Sequence, residues 1–126
     1  MAEAIVTLKA RKKMLLARAG ECALPKVVGI AFGDGGVDPA GNVIAPAEDQ
    51  ESLNSEIFRK EIDSHTLITD FQCRYECTLL EEELVGESIS EIALYDEEGD
   101  LVAIKNFTAK GKDNDFRMTF QIDDTF

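Results

Sequence analysis

Ile30-Ala31-Phe32-Gly33-Asp34-Gly35-Gly36 is the stretch that decides the fold, because a short apolar run ends there in a turn of three glycines and one aspartate. Glycine tolerates positive φ, and an aspartate side chain accepts hydrogen bonds from the backbone beside it. The pattern therefore predicts a strand that breaks into a tight loop.

A glycine-rich loop after a strand is typical of phosphate-binding sites, but this loop lacks the residues that such sites need. A P-loop has a lysine and a Ser or Thr directly after its glycines, whereas Gly36 is followed by Val37-Asp38-Pro39. The dinucleotide fingerprint needs a helix that begins at the last glycine, and Pro39 and Gly41 would break that helix. The aspartates of the loop would also repel a phosphate. We therefore predict an architectural corner rather than a nucleotide site.

The same loop contains oxygen ligands for a hard cation, namely Asp34, Asp38 and Asn42. Calcium sites use such residues, but the EF-hand spacing and its distant glutamate are absent. Loops rich in Asp, Asn and Gly are also common as turns. A small binding module that holds a cation or a glycan in the Gly33–Pro46 loop is the alternative function that these residues leave open. No pattern in the sequence predicts a cofactor.

Candidate catalytic residues are few. The single histidine, His65, stands beside Asp63 and Ser64, but a catalytic triad converges from separate segments of the chain. The acidic run Glu81-Glu82-Glu83 offers paired carboxylates, although a charge run beside a strand is usually a solvated turn. We therefore predict that the protein is not an enzyme. A hydrolase that uses His65 and nearby acids is the least favoured alternative.

Length and charge narrow the function classes further. The 126 residues suit one domain over residues 1–126. The formal net charge of −12 disfavours binding to a phosphate backbone, so we expect no nucleic-acid partner. No apolar run approaches the ~20 residues that span a bilayer, and the N-terminus lacks the pattern of a signal peptide. We therefore expect no membrane insertion and assembly in the host cytoplasm.

Charge is unevenly distributed along the chain. Residues 1–21 contain five basic and two acidic residues, a net of +3, so the remainder carries −15. This basic segment is expected to dock on the acidic body, on a neighbouring copy or on an acidic partner, or to form a solvated helix face. The three cysteines Cys22, Cys73 and Cys77 are expected to be reduced, since an odd number argues against a disulfide framework.

Periodicity predicts two helices and several strands. A first helix is expected over Ala2–Ala19, with an apolar face of Ala4, Ile5, Leu8, Leu15, Leu16 and Ala19 and a stop at Gly20. A second short helix is expected over Asp49–Lys60, with Leu53 and Ile57 buried. Alternation and turn residues predict strands at 26–32, 71–80, 89–95, 101–107 and 116–122. The predicted fold class is α+β, with a mainly antiparallel sheet and a C-terminal hairpin.

Three of these segments, in this order, resemble the phage tail-collar fibre family. The first is residues 26–36, similar to the family's strand that ends in an F-G-D-G-G turn. The second is Leu53-Asn54-Ser55-Glu56-Ile57-Phe58-Arg59-Lys60, similar to its L-x-x-E-x-x-R helix after a proline-rich loop. The third is the hairpin of residues 89–103, similar to I-x-E-I-G-L-[FY]-D-x-x-G-x-L-[IV]-A, with Ala93 where the family usually has glycine.

The resemblance implies a structural component of a phage tail, a prophage tail or a contractile device. Its expected role is to attach or form the tail fibre or baseplate collar through self-assembly and contacts with other tail and baseplate proteins. The resemblance also implies a homo-oligomer, with a trimer as the form common in phage fibres, and a place in the virion tail.

Overall fold

Two antiparallel β-sheets dominate the computed structural model of the protein, which describes residues 3–126. Strands make up 48% and helix 9% of the chain, and one helix of seven or more residues is present within the described residues. The prediction of an α+β fold with two helices is therefore wrong. The chain is mostly β, and its core is formed by residues of the two sheets and not by the predicted helices.

The five-stranded sheet has the order β1-β7-β6-β2-β3, and the three-stranded sheet has the order β4-β5-β8. The elements are β1 (Ile5–Val6), α1 (Leu8–Arg18), β2 (Val27–Gly33), β3 (Glu56–Glu61), β4 (Ser64–Thr69), β5 (Gln72–Leu79), β6 (Ser88–Asp96), β7 (Leu101–Gly111) and β8 (Met118–Thr125).

The main core lies between the two sheets. Side chains from β2 and β6 on one sheet pack against side chains from β5 and β8 on the other, and Phe32 meets Phe120 edge to face with ring centroids 5.2 Å apart. This cluster comprises Ile30, Phe32, Cys77, Leu79, Ile89, Ile92, Leu94, Ala103, Phe120 and Ile122. Alternation along β5 and β8 directs their apolar residues into this core. The strands predicted at 26–32, 71–80, 89–95, 101–107 and 116–122 are confirmed as β2, β5, β6, β7 and β8.

The opposite face of the five-stranded sheet has a smaller apolar cluster. Ala31, Ala93 and Ile104 lie on its central strands, and the loop residue Leu53 packs on them with 5% of its surface exposed. Leu53 is therefore buried, as expected, but it lies in a loop and not in a helix.

The second predicted helix, Asp49–Lys60, is replaced by a loop and by the edge strand β3. β3 pairs antiparallel with β2, with Arg59 opposite Ala31 and Phe58 opposite Phe32. Helical periodicity was suggested by Leu53 and Ile57, which are four residues apart. Pairing with β2 satisfies the backbone of this segment instead, and that tertiary contact overrides the local pattern.

The N-terminal helix is shorter than predicted and presents a different face. Residues Ile5–Val6 pair with β7 as a short strand, and α1 begins after Thr7, whose side-chain oxygen accepts a hydrogen bond from the Ala10 amide at 3.1 Å. Ala10 is the buried helical residue, while Leu8 and Leu15 of the predicted core face are 46% and 64% exposed. Gly20 follows the helix with a φ of +83°, as its predicted role as a stop requires. The predicted start at Ala2 lies outside the described residues.

The C-terminal hairpin is confirmed. β6 and β7 pair antiparallel, with Ala93 opposite Ile104, and Gly99 in their turn has a φ of +85°. Over residues 3–126, no helix is long and apolar enough to cross a membrane.

The connection between β3 and β4 transfers the chain from one sheet to the other. The Ile62 amide still donates to the Val28 carbonyl of the five-stranded sheet at 3.1 Å. The next amide, that of Asp63, donates to the Glu76 carbonyl of the three-stranded sheet at 2.8 Å. Two consecutive residues therefore bridge the sheets, and β4 is positioned directly by β3.

Candidate functional site

The glycine turn after β2 is held by Glu91, a fully buried glutamate on β6. Its Oε2 accepts hydrogen bonds from the backbone amides of Gly35 at 2.9 Å and Ser55 at 2.8 Å. Its Oε1 accepts a third from the amide of Asn54 at 2.9 Å. The turn therefore binds an anion after all, but the anion is a side chain of the same protein.

Close packing explains the glycines at this turn. A Cβ on Gly36 would overlap the carbonyl oxygen of Ser90, and a Cβ on Gly33 or Gly35 would overlap the Glu91 side chain. The Gly36 amide donates to Ser90 Oγ at 2.9 Å. The turn is an architectural corner, and it joins β2, β6 and the residues that lead into β3.

Sequence reasoning missed Glu91 as a functional residue. The signal was available, because an acidic residue interrupts the apolar run Ile89–Tyr95 at a position that alternation directs to the same face as Ala93. A buried carboxylate needs hydrogen-bond donors. The backbone amides of the glycine turn at residues 33–36 could have been considered as those donors.

Two of the three predicted cation ligands bind each other. Asp38 Oδ1 accepts hydrogen bonds from the backbone amides of Ala40 and Asn42, both at 2.9 Å. These bonds, with that from the Asn42 amide first, hold the pKa of Asp38 below its usual range. Asp34 lies at the corner, where its amide donates to the Ser55 carbonyl at 3.0 Å. Asp38 thus caps a turn.

A different acidic group has the geometry of a cation site. Asp96, Glu98 and Asp100 of the β6–β7 turn each present a carboxylate oxygen, and these oxygens lie within 4.8 Å of one another. Lys13 Nζ of α1 lies 2.7 Å from Asp96, 2.9 Å from Glu98 and 2.7 Å from Asp100. Burial opposes the charge of Lys13, but hydrogen bonds with Asp100 and Asp96 raise its pKa above the ordinary lysine value. The helix therefore supplies the cation for this group.

The rest of the basic segment also docks on the protein's own acidic body. Lys9 Nζ lies 3.2 Å from Asp100 and 3.3 Å from Glu51, and Arg11 binds Glu48 at 2.8 Å. Of the alternatives that the charge pattern left open, the structure shows this one for Lys9, Arg11 and Lys13.

The candidate catalytic residues are not brought together. The ring of His65 faces that of Tyr75, with centroids 6.0 Å apart. Asp63 accepts a hydrogen bond from the Thr78 amide at 2.7 Å. In the acidic run, Glu81 binds Arg117 and Glu83 binds Lys60, each at 2.7 Å. These acids serve separate structural contacts. Burial, together with the nearby Asp63 charge, raises the pKa of the Cys77 thiol to about 11.

An apolar groove of about 480 Å³ separates α1 and residues 24–27 from the inner face of the three-stranded sheet. The sheet contributes His65, Tyr75, Asp124 and Phe126 to its wall. Burial raises the pKa of Asp124, and Oδ1 of this residue has no hydrogen-bond partner among the described residues.

Beside the groove lies the most exposed apolar surface of the described chain, which we name the apolar end: Leu67, Ile68, Phe71 and Phe126. Leu67 is 75%, Phe126 70% and Phe71 67% exposed. The Phe126 amide donates to the Phe71 carbonyl at 2.8 Å, so these two aromatic residues lie together. Leu67 and Ile68 stand near the end of β4, just before the turn that contains Phe71. Groups of exposed apolar residues of this kind mark interaction surfaces.

A β-sandwich in which the basic helix is paired with the protein's own acids and an apolar end is exposed has the features of a structural assembly module. A family model for the phage tail-collar fibre protein, N-terminal, matches residues 1–123. The chain belongs to this family, which confirms the resemblance that the sequence shows, and the family is one of structural components of the virion tail. No match was found among curated proteins or among solved structures.

Proposed function

We propose that this protein attaches or forms the tail fibre or baseplate collar of a phage, a prophage or a phage-like contractile device. It does so as one folded unit, through self-assembly and through contacts with other tail and baseplate proteins. The observation that carries the proposal is the family match over residues 1–123. Assembly takes place in the host cytoplasm, before the finished tail is released.

Two structural features support a role in assembly. Four of the acids that were candidates for chemistry bind other groups of the protein, in turns or in ion pairs: Asp38, Asp63, Glu81 and Glu83. The apolar end, by contrast, exposes Leu67, Phe71 and Phe126 to solvent. Surfaces of this kind favour protein–protein contact, because burial of apolar area is the main driving force of association.

The proposal also includes a homo-oligomer, for which the trimer common in phage fibres is the first stoichiometry to test. Sedimentation velocity across a range of protein concentrations measures the mass directly. A protein that stays monomeric at all concentrations and binds no neighbouring tail protein would contradict the self-assembly part of the proposal.

The decisive test is deletion of the gene in the phage or prophage that encodes it. Electron microscopy of the resulting particles is expected to show tails without fibres or collar, and supply of the wild-type chain from a plasmid is expected to restore them. Mass spectrometry of purified wild-type tails is expected to detect the protein. Normal fibres in the deletion strain, with no trace of the protein in purified tails, would refute the proposal.

A further inference from the structure

The strand β4 is an unprotected sheet edge. All six of its residues are exposed, and within residues 3–126 its side away from β5 has no partner strand. Its sequence Ser-His-Thr-Leu-Ile-Thr has no Asp, Glu, Lys, Arg or Pro. Natural proteins usually guard an exposed edge with charged residues or proline, because an open row of N–H and C=O groups pairs readily with another strand.

The other edge strands are either charged or very short: β1, at one border of the five-stranded sheet, has only the two residues Ile5–Val6. β3 has charged residues at four of its six positions, Glu56, Arg59, Lys60 and Glu61. β8 has the acidic pair Asp123 and Asp124 near its end. Among the edge strands of the described residues, β4 is therefore the one that is both long, at six residues, and without charge, in a chain of which 30% of the residues are charged.

Net charge limits where two self-assembling copies of the chain can meet. Each copy of the chain carries a formal charge of −12, so two copies repel each other over most of their surface. Contact between copies is least unfavourable where both surfaces are neutral. β4 and the apolar end come near to this, since Asp70 is the one acidic or basic residue other than His65 in residues 64–72, and Leu67, Phe71 and Phe126 supply apolar area next to the open backbone edge.

We propose that β4 pairs with an edge strand of a second copy of this chain, and that the apolar end is buried in that contact. This inference rests on the proposed function, since it names the surface by which the tail component self-assembles. Strand pairing supplies hydrogen bonds along the edge, and Leu67, Phe71 and Phe126 supply the apolar burial. The contact closes a dimer through a two-fold axis, or a ring through a heterologous interface.

The test compares Leu67→Glu with Leu15→Glu. Both leucines are well exposed, 75% and 64%, so neither change should unfold the protein. Both variants alter the net charge of each copy equally, from −12 to −12 − 1 = −13. Leu67 lies on β4, whereas Leu15 lies on α1. Sedimentation equilibrium gives the association constant of each variant, and the melting temperature confirms that each is folded.

We expect the wild type to self-associate, Leu15→Glu to associate as the wild type does, and Leu67→Glu to associate at least about tenfold more weakly. Hydrogen exchange is expected to show that β4 amides become protected as concentration rises. A monomeric wild type, equal association of all three proteins, or protection that bypasses β4 would overturn the inference. A protein that remains in purified tails despite such a result would still support the proposed function, so the two failures are distinguishable.

Discussion

Replacement of Glu91 with glutamine should destabilise the protein strongly, although it only exchanges one carboxylate oxygen for an NH₂ group. Glu91 is fully buried, and its two carboxylate oxygens accept three backbone hydrogen bonds, from Gly35, Asn54 and Ser55. Glutamine has nearly the same shape, so the substitution leaves no cavity. It tests the hydrogen bonds of the corner without a change in packing volume.

The magnitude follows from what glutamine cannot accept. Its single carbonyl oxygen best replaces Oε2 and keeps the bonds from Gly35 and Ser55, but its NH₂ group then faces the Asn54 amide. A hydrogen bond to a charged group contributes about 1.5–3 kcal/mol, and a buried donor without an acceptor costs about 1–3 kcal/mol. We therefore expect the free energy of unfolding to fall by roughly 3 kcal/mol.

This loss converts into a measurable shift of the melting temperature. With an unfolding entropy of about 2.1 cal/mol/K per residue, the 126 residues give about 0.26 kcal/mol/K. A loss of 3 kcal/mol then lowers the melting temperature by roughly 11 °C. Calorimetry measures the shift, and urea unfolding followed by circular dichroism measures the free energy independently.

Glu82→Gln is the matched control, since Glu82 is exposed and its replacement removes the same charge. We expect this control to change the melting temperature by less than about 2 °C, as is usual for surface substitutions. If Glu91→Gln melted within that same margin, the buried carboxylate would not stabilise the corner and the reasoning would be refuted.

Three further predictions concern the corner and the docking of α1. Gly36→Ala should lower the free energy of unfolding by at least about 2 kcal/mol, because its Cβ would overlap the Ser90 carbonyl oxygen. The control Gly111→Ala should lower it by under about 1 kcal/mol, because the space around Gly111 is open. Urea unfolding measures both values. Lys13→Ala should lower the free energy of unfolding by about 1–3 kcal/mol, since it leaves three carboxylates together without their lysine. Millimolar Ca²⁺ should restore the melting temperature of Lys13→Ala but should not change that of the control Lys12→Ala. Equal responses of the two variants to Ca²⁺ would contradict this prediction. Hydrogen bonding with Lys13 lowers the pKa of Asp100. The contribution of Asp100 to the free energy of unfolding is therefore present above the unfolded-state pKa of about 3.9 and is lost as the pH falls through the lower folded value. Melting temperatures measured against pH should show this loss below about pH 4 in the wild type and a smaller loss in Lys13→Ala.

The strands that pack between the sheets could be predicted from the sequence. β5 and β8 alternate apolar and polar residues, because one face of each packs into the main core and the other does not. β6 was predictable from its short apolar run, which is buried on both faces of the sheet. The β6–β7 hairpin was also predictable, since Gly99 supplies the positive φ that its turn needs. These elements are determined by local pattern and burial together.

The edge strands could not be predicted in the same way. β3 is an exposed, charged edge whose burial does not alternate, and Leu53 and Ile57 mimic helical spacing. β4 is exposed at every position, so burial leaves no periodic signal in its sequence. Both strands form because β2 and β5 have free edges with which they pair. These pairings can be identified only in the folded structure.

The candidate site was predictable only in part. The sequence placed a corner at residues 33–36 but assigned it no partner, since Glu91 is 55 or more residues away from the turn that it holds. The docking partner of the basic segment was left open for the same reason. Lys13 meets Asp96 across 83 residues of chain, and no local pattern records a contact of that length.

The corner and the β4 edge are linked through the chain, so their roles in stability and in assembly can be separated. Glu91 holds Asn54 and Ser55, β3 begins at the next residue, and Ile62 and Asp63 then transfer the chain to β4. The corner therefore fixes where β4 starts, while β4 itself adds little to the core because it is exposed. Glu91→Gln should accordingly lower the melting temperature but leave association unchanged while the protein is folded, and Leu67→Glu should do the reverse. If both variants changed both quantities, fold stability and self-assembly would not be separable in this module, and the assignment of β4 as an assembly surface with little structural role would be wrong.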